Sequence, residues 1–264
     1  AAIPGDMALQ KKVESFIEEI DRDVLQKVGL SSKKVIGQTA FDLTIVEDES
    51  NLGNLIADSI RWYVNKHDYD PKDPPTKTVV AIESNGLIRD DLLRGKTGAL
   101  AVGDVFRTIP LGIGLDDTMA YPLVSCYLYA SEIKKALEVL TSIYPRKGSA
   151  YFLQVSGLKF TYNPRRVIFD RVTRIWLGSE EEGYIPLDYS ESNKNLYRIA
   201  TNIYDAAFLK IVGKYTYQIL KIVPKDRIGG PVADLAAFCV DADKSQPGIQ
   251  ELKEWMGVME YIKS

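Results

Sequence analysis

The sequence predicts a mixed α/β fold in which helices cover a mixed β-sheet. Three observations predict this class: helical periodicity near both ends of the chain, a short apolar run at residues 79–82 that is typical of a buried strand, and alternating segments between residues 152 and 201. Because the 264 residues include no glycine-rich linker, we expect one domain over 1–264, with an N-terminal helix in 1–30 and a mixed α/β core in 31–264.

Helices and strands are expected to alternate in the first half of the chain. Apolar residues recur at helical spacing from residue 6 to about residue 28, and residues 34–44 alternate as in a strand. A second helix is expected to begin at Ser50 or Asn51, since either side chain can cap it. The buried strand at residues 79–82 follows, and it ends at a turn.

The second half is predicted to begin with strands and to close with helices. A strand at residues 122–129 precedes a helix at 131–144, and the segments within 152–201 are expected to form hairpins. Residues 232–240 and 249–262 are predicted to be helical. The last of these carries a stripe of Trp and Met side chains, which is more typical of a core than of a ligand site.

Composition argues against two classes of partner. Lys and Arg (33) nearly balance Asp and Glu (36), and no basic stripe is interleaved with aromatic residues, so a nucleic acid polymer is not an expected partner. The apolar runs are shorter than the roughly 18 residues of a membrane span, so a soluble domain is expected. Cys126 and Cys239 lie in apolar runs, which favours buried thiols over a disulfide.

The side chains from which common active sites are built are scarce. A two-metal phosphoesterase needs several His and Asp ligands, and a Ser or Cys nucleophile usually needs a His base, but His67 is the one histidine. It lies at a polar helix end, where a solvated His is favoured over a catalytic one. The acidic residues 47–49 are interpreted first as a solvated loop. We therefore expect no catalytic residue, no cofactor and no metal site in this chain.

Two turns remain as candidates for binding a small ligand. Ser84, Asn85, Gly86 and Arg89 follow the buried strand at 79–82, the usual position of a binding loop in α/β folds. Arg89 would supply a cationic fork suited to carboxylate or phosphate, or it could simply bond carbonyl groups at the strand end. The second turn is the proline and glycine loop at 109–114. Taken singly, each is also typical of a structural turn.

Five motifs in a fixed order make a more specific pattern. Together they resemble the C-terminal domain of the 5′-nucleotidase and UDP-sugar hydrolase family. The motifs are N-L-G-N-L-I-A-D at 51–58, S-N-G-L-I-R at 84–89, I-P-L-G at 109–112, F-L-Q-V-S-G at 152–157 and Y-R-I-A-T-N at 197–202.

The resemblance implies one half of a two-part enzyme. In that family a separate N-terminal metallophosphatase domain binds two divalent metal ions and carries the catalytic residues. The C-terminal domain binds the nucleotide or nucleoside and moves it towards the metals. The expected partners of this chain are therefore a small nucleotide or nucleoside and a metallophosphatase domain that the chain does not contain. Because the family is mainly extracytoplasmic, the resemblance also implies a periplasmic, cell-envelope or secreted location.

The same resemblance selects candidate ligand-binding residues on three segments, which we expect to meet in one cleft. These residues are Ser84, Asn85, Gly86, Arg89, Leu111, Gly112, Asn202, Tyr204 and Phe208.

The chain also departs from the family pattern. Residues 45–49 contain acids where the family has an Arg, Leu111 replaces an aromatic residue that stacks on the base, and the second stacking aromatic is missing from its usual motif after Asn202. Tyr204 or Phe208 is expected to replace the lost aromatic clamp. The alternative is a degenerate, non-catalytic binding or interaction module that keeps the same fold.

Overall fold

The computed structural model describes residues 5–264, so residues 1–4 of the expected N-terminal segment lie outside it. The α-helices are α1 (Met7–Asp23), α2 (Asn51–Asp68), α3 (Val102–Thr108), α4 (Ala130–Glu138), α5 (Tyr144–Lys147), α6 (Ile203–Tyr215) and α7 (Glu254–Lys263). The strands are β1 (Val35–Gln38), β2 (Thr78–Ser84), β3 (Ala99–Ala101), β4 (Leu123–Tyr129), β5 (Leu153–Ser156), β6 (Leu158–Tyr162), β7 (Val172–Ser179), β8 (Gly183–Pro186) and β9 (Leu196–Asn202).

The central sheet has the strand order β4, β9, β2, β5 and mixes both kinds of pairing. β2 and β9 are parallel, with Ala81 opposite Ala200, whereas β4 and β5 are antiparallel to their neighbours. Parallel strands end at the same edge of a sheet, so Ser84 and Asn202 come to one edge. This edge positions the candidate site.

The hairpins expected between residues 152 and 201 form only in part. β6 and β7 pair as an antiparallel hairpin, and β8, which was not predicted, extends them to a three-stranded sheet. In contrast, β5 pairs with β2, and β9 pairs with β2 and β4. The chain leaves the central sheet at Gly157, which has a φ of +80°. A Cβ there would lie 1.9 Å from the Val79 carbonyl oxygen, so this sharp turn requires glycine.

The strand expected at residues 34–44 is shorter than predicted. β1 covers Val35–Gln38 and pairs with β3, and beyond it Leu43 makes an isolated bridge to Leu92. The Asn51 side chain accounts for part of the difference. Its Nδ2 donates to the Asp42 carbonyl, and its Oδ1 accepts from the Thr44 amide, so these backbone groups are not available to a ladder.

Helices cover both faces of the central sheet, which confirms the predicted fold class. On β9, Ala200 belongs to a core shared with α2, α3 and α7, while the adjacent Ile199 belongs to a second core shared with α4, α6 and the three-stranded sheet. Neighbouring residues of a strand point to opposite faces, so both faces are buried. The second helix begins as predicted, because Ser50 Oγ accepts from the Gly53 amide.

The two C-terminal helices differ from the prediction. Residues 232–240 contain only the short 3₁₀ turn Ala236–Phe238, and the last helix begins at Glu254, so residues 249–253 are not helical. The backbone groups there bond across the structure: Leu123 donates to Leu252, and Val240 donates to Leu123. These hydrogen bonds continue the edge of β4, and they use backbone groups that a helix in these segments would need.

Three smaller predictions can be compared directly with the structure. The Trp and Met stripe lies in the core, with Trp255 and Met259 buried. Cys126 and Cys239 are buried free thiols. Residues 131–144 are helical but are interrupted by the π turn Val139–Ile143.

Among the helices of residues 5–264, none is both long and apolar enough to cross a membrane.

Candidate functional site

A cleft of about 240 Å³ opens at the edge where β2 and β9 end. It lies between the turn that follows β2, the short 3₁₀ turn Ser149–Tyr151 before β5, and the first two turns of α6. Its walls are formed by Ser84, Gly86, Leu87, Ala150, Tyr151, Leu153, Tyr204, Asp205 and Phe208. A concave site with a few polar groups set in apolar and aromatic walls suits a small organic ligand.

The polar floor of the cleft is a bonded pair of side chains. The Ser84 amide and hydroxyl donate to the two carboxylate oxygens of Asp205, at 2.8 and 2.9 Å. Asn202 caps α6 by accepting from the Asp205 amide at 2.9 Å, which fixes the carboxylate beneath the cleft. Each carboxylate oxygen keeps a lone pair for a further donor, such as a ligand hydroxyl.

Burial raises the pKa of Asp205 to about 7, against the lowering effect of the Ser84 bonds. Two more acids lie behind it. Glu83 and Glu254 are both buried, and Asn202 Nδ2 donates to Glu83 Oε2 at 2.8 Å. Burial, reinforced by the nearby Glu254, raises the pKa of Glu83 well above its ordinary value, and burial also raises the pKa of Glu254. The floor of the cleft therefore holds a proton more tightly than free carboxyl groups would.

Aromatic side chains from α6 and from the turn before β5 line the cleft. Tyr204 is half exposed and stacks on Tyr121, with ring centroids 5.6 Å apart and planes 29° apart. One turn further along α6, Phe208 packs at a tilt against Tyr151, with centroids 5.9 Å apart. Such paired rings offer flat faces to a planar ligand.

Four of the nine predicted ligand-binding residues line this cleft: Ser84, Gly86, Tyr204 and Phe208. Gly86 lies close to the opposite wall, since a Cβ there would be 3.0 Å from the Ala150 carbonyl oxygen. The expected meeting of the segment after β2 with the start of α6 is therefore present.

Asn85 and Asn202 are turned into the structure instead. Asn85 Nδ2 donates to the Val46 carbonyl, and its Oδ1 accepts from Gln154 Nε2 at 2.7 Å, so it holds the loop before α2. Asn202 is fully buried between Glu83 and Asp205. Both amides bond to the protein itself.

Arg89 lies on the turn after β2 but does not line the cleft. Its amide donates to the Thr108 carbonyl at 2.7 Å, and its exposed guanidinium makes a long contact of 3.4 Å with the Gly86 carbonyl. Bonding to carbonyl groups was one of the two roles expected for Arg89. Its side chain is nevertheless exposed at the surface.

The third segment, at 109–114, supports the cleft from outside. Leu111 and Gly112 do not line it, which differs from the expected convergence of three segments. The Leu111 carbonyl accepts from the Tyr121 amide, and Gly112 has a φ of +91°. A Cβ on Gly112 would lie 2.3 Å from the Tyr121 ring, so the glycine makes room for the ring that stacks on Tyr204.

Three further residues of the site, Tyr121, Tyr151 and Asp205, were not predicted from the sequence. Asp205 follows Asn202 by three residues, the spacing at which a helix cap places its first-turn acid, and this signal could have found it. Tyr121 and Tyr151 carry no comparable local signal, because both reach the cleft through contacts distant in sequence.

Residues 5–264 contain no cluster of side chains suited to binding a metal ion. Across residues 5–264, no three His, Cys, Asp or Glu side chains are grouped so that they could hold a metal ion. His67 lies in the last turn of α2 with its ring edge-on to Tyr63, 4.7 Å away. The acidic residues 47–49 are exposed. The donor set of this chain thus does not fit the two-metal centre that the resemblance implies for the whole enzyme.

Comparisons with known proteins agree with this architecture. The chain is 33% identical over 159 residues to a cell wall protein of Listeria monocytogenes, an alignment that covers 59% of this chain and 18% of that protein. Its fold is similar to that of a 5′-nucleotidase precursor from Thermus thermophilus, with 25% identity and a TM-score of 0.61 over 98% of this chain and 41% of that one.

It is also similar to the NAD nucleotidase of Haemophilus influenzae, at 16% identity and a TM-score of 0.54, over 100% of this chain and 40% of that one. The chain thus spans about two fifths of these structures and under a fifth of the cell wall protein. Residues 29–208 match the family model described as 5′-nucleotidase, C-terminal domain. This chain therefore belongs to the 5′-nucleotidase C-terminal domain family.

Proposed function

We propose that this chain is the substrate-recognition part of a 5′-nucleotidase-type phosphohydrolase, and that its cleft binds the nucleoside portion of a nucleotide. The arrangement of Tyr204 and Phe208 over the Ser84–Asp205 floor carries the proposal. Flat aromatic faces suit a base, and a carboxyl group with remaining lone pairs suits the hydroxyls of a sugar. In this proposal, Tyr204 and Phe208 supply the stacking that Leu111 cannot.

The phosphate end of the ligand would lie towards the turn after β2. Arg89 is exposed on that turn, and its planar guanidinium is suited to bidentate bonding of phosphate. Its 3.4 Å contact with the Gly86 carbonyl is long for a hydrogen bond, so exchanging it for a charge-assisted bond to phosphate costs little.

Hydrolysis would be performed by a separate metallophosphatase domain. Two divalent metal ions need several carboxylate and imidazole ligands, which residues 5–264 do not bring together. The matched structures are more than twice the length of this chain, which leaves room in such proteins for a further domain. The relative named a cell wall protein supports a location outside the cytoplasm for the proposed enzyme.

One observation favours the alternative, a module that keeps the fold without binding nucleotides. The amides of Asn85 and Asn202 are used in internal bonds, so they are not available to read a base by hydrogen bonding. In that case the turns that carry the family motifs would serve packing alone, and the cleft would have no preference for nucleosides.

Isothermal titration calorimetry with adenosine, AMP and UDP-glucose separates the two functions. We expect micromolar affinity for at least one of these ligands. Phe208→Ala should weaken it by roughly 1–3 kcal/mol, the value of one stacked base. Arg89→Ala should weaken the binding of AMP by about 1.5–3 kcal/mol but leave the binding of adenosine unchanged. Arg94→Ala, at an exposed arginine outside the cleft, is the matched control.

Two outcomes would decide against the proposal. Absence of binding by all three ligands would leave the packing module as the better account. If Arg89→Ala weakened the binding of AMP and of adenosine equally, the arginine would act through the fold and not through phosphate.

The chain alone is expected to release no phosphate from AMP in the presence of Mg²⁺, Mn²⁺ or Zn²⁺.

A further inference from the structure

A second cavity, of about 330 Å³, lies beside the cleft and shares only Leu153 with it. It is enclosed by the loop before α2, by the π turn and α5, and by the strands β5 and β6. None of the nine residues predicted to bind a nucleoside lines it. Its volume is typical of a small-ligand site, and the proposed nucleoside function does not use it.

Two pairs of aromatic rings line this cavity. Tyr144 meets Phe152 edge-on, with ring centroids 5.1 Å apart and planes at 88°. Phe160 and Tyr162 are two residues apart on β6, so they lie on the same face of the strand, with centroids 6.3 Å apart. Such rings suit the flat apolar body of a ligand, and their π faces also attract a cation.

Two exposed carboxylates line the same cavity, and neutral groups bond them. Asp48 Oδ1 accepts from the Tyr144 hydroxyl at 3.0 Å. Glu49 Oε1 accepts from Asn54 Nδ2, also at 3.0 Å, and within residues 5–264 neither carboxylate forms an ion pair. Burial and the carboxylates of Asp48 and Glu47 raise the pKa of Tyr144, so the potential at its hydroxyl is negative.

The neighbouring cations are directed away from the cavity. Lys159 lines it, but its Nζ lies over the ring of Tyr184, 3.6 Å from the centroid, and Tyr184 is not part of the lining. The lysine therefore contributes its apolar stem. Arg171 lies outside the lining, where its Nη1 donates to the Thr141 carbonyl. The carboxylates thus set the sign of the charge that the cavity presents to a ligand.

The cavity is distant from the segment through which a preceding domain would join. Leu25, just after α1, is buried in the core shared with α2, α3 and α7. Leu140, Phe152 and Leu158 of the cavity belong to the second core, on the other face of the central sheet. A metallophosphatase domain joined ahead of α1 would enter on the opposite face, so a small ligand is the occupant that this concave volume suits.

We propose that this cavity binds a small aromatic amine in its cationic form. The ring of the ligand packs against the aromatic pairs, and its ammonium group pairs with the carboxylates of Asp48 and Glu49. An alcohol of the same shape lacks the charge, and a carboxylate is repelled. Because both acids are exposed, the pairing is screened by solvent and the affinity is modest, with a Kd on the order of 0.1–1 mM.

Titration of the isotope-labelled chain with three compounds of similar shape tests the charge requirement. At pH 7 phenethylamine is a cation, 2-phenylethanol is neutral and 3-phenylpropionate is an anion. Phenethylamine should give saturable amide shifts at Asn54, Thr141 and Val155, and none at Gly86 or Asp205 in the cleft. The alcohol should bind about tenfold more weakly, and the anion should show no saturable shift.

A double charge variant should remove the preference for the amine. Asp48→Asn combined with Glu49→Gln keeps the shapes of both side chains, so phenethylamine and 2-phenylethanol should then bind about equally. Glu47→Gln is the matched control, because this acid belongs to the same exposed run but does not line the cavity. It should retain the preference of the wild type.

The aromatic wall is tested by Tyr162→Ala, at a ring that is half exposed. This variant should weaken the amine and the alcohol alike, by about threefold to tenfold. Tyr215→Ala removes an exposed ring outside the cavity and should change neither affinity. Butylamine, which has the shape of a lysine side chain, should bind more weakly than phenethylamine because it has no ring.

Four results would overturn the proposal. They are no saturable shift with phenethylamine up to 20 mM, shifts confined to the cleft, equal binding of amine and alcohol by the wild type, and equal effects of the double charge variant and Glu47→Gln. Butylamine binding as tightly as phenethylamine would make a lysine of another polypeptide the better occupant, and it would also contradict the proposal. Failure of nucleoside binding at the cleft leaves this test unaffected, since the amide signals of the two sites differ.

Discussion

The parallel strands β2 and β9 bury ionisable side chains at both of their ends, but the neighbours of these side chains differ between the two ends. Near the start of β9, the buried Arg198 bonds Asp68, the Thr76 carbonyl and Ser125 Oγ. Burial alone would raise the pKa of Asp68, but bonds from Lys244 and Arg198 outweigh it and lower the pKa. At this end each buried charge has an opposite charge beside it.

The carboxyl ends of the same strands gather three acids instead. Glu83, Asp205 and Glu254 are buried together, and the side chains that act on their pKa values are one another, Ser84 and Asn202, which are acidic or neutral. Burial raises the pKa of all three carboxyl groups, so this end favours their protonated forms. The ion-paired end therefore supports the fold, whereas the end that carries the cleft gathers acidic groups at a cost in stability. Perturbed carboxyl groups of this kind are typical of functional sites.

The largest effect is expected from breaking the ion-paired end. Asp68→Asn leaves Arg198 buried without its opposite charge, so we expect the free energy of unfolding to fall by about 3 kcal/mol. Asp73→Asn is the matched control, because its partner Arg227 is largely exposed and such pairs contribute about 0–1 kcal/mol. Urea denaturation measures both. A loss at Asp68 no greater than that at Asp73 would contradict the structural role of this pair.

The acidic end predicts that the free energy of unfolding falls as pH rises. Since the folded-state pKa of Asp205 is about 7 and the ordinary value is 3.8, the folded protein binds the proton more tightly. This contribution to stability is complete below about pH 4 and is lost as pH rises through 7. We expect the free energy of unfolding to fall by about 2 kcal/mol between pH 5 and pH 8.

Glu254→Gln sharpens this test, because it removes one of the like charges without changing the shape of the side chain. The variant should be more stable than the wild type at pH 8 and should lose less stability between pH 5 and pH 8. Glu260→Gln removes a half-buried carboxylate of the same helix that bonds Lys66 and Lys263 and lies outside the acidic cluster, so it serves as the control. An unchanged pH profile in Glu254→Gln would show that the three acids are not coupled.

The smallest effect is expected for one wall of the cleft. Tyr204→Ala removes a half-exposed ring that stacks on Tyr121, so the fold should lose little stability. Nucleoside affinity should fall about tenfold, near the lower end of the range for a stacked base. Tyr217→Ala, at an almost fully exposed tyrosine, should leave affinity unchanged. Calorimetric titration of both variants measures their nucleoside affinities. Equal affinities of Tyr204→Ala and Tyr217→Ala would exclude Tyr204 from the site.

The sequence predicted the elements whose signals are local. The cap at Ser50 and the apolar run of β2 depend on neighbouring residues, and both are confirmed. The helix expected at 232–240 failed because long-range backbone bonds to β4 compete with local propensity. Periodicity alone cannot show such competition.

The candidate site was predictable to a similar extent. Ser84 and Gly86 follow a predicted strand, Tyr204 and Phe208 follow the last motif of the family resemblance, and the structure brings all four into one cleft. Tyr151 reaches it from another loop. The three buried acids come from β2, α6 and α7, so no segment of sequence shows them together. What the sequence could not supply was the set of contacts that only tertiary packing creates.

Backbone amide shifts during a nucleoside titration test directly whether this cleft binds nucleosides. The isotope-labelled chain would be titrated with adenosine and AMP, and amide signals followed at both ends of β2 and β9. We predict shifts at Gly86, Tyr151 and Asp205 in the cleft, and none at Asp68 or Lys244 at the ion-paired end. Shifts confined to the ion-paired end, or no saturable shift at either end, would contradict the claim that this cleft recognises nucleosides.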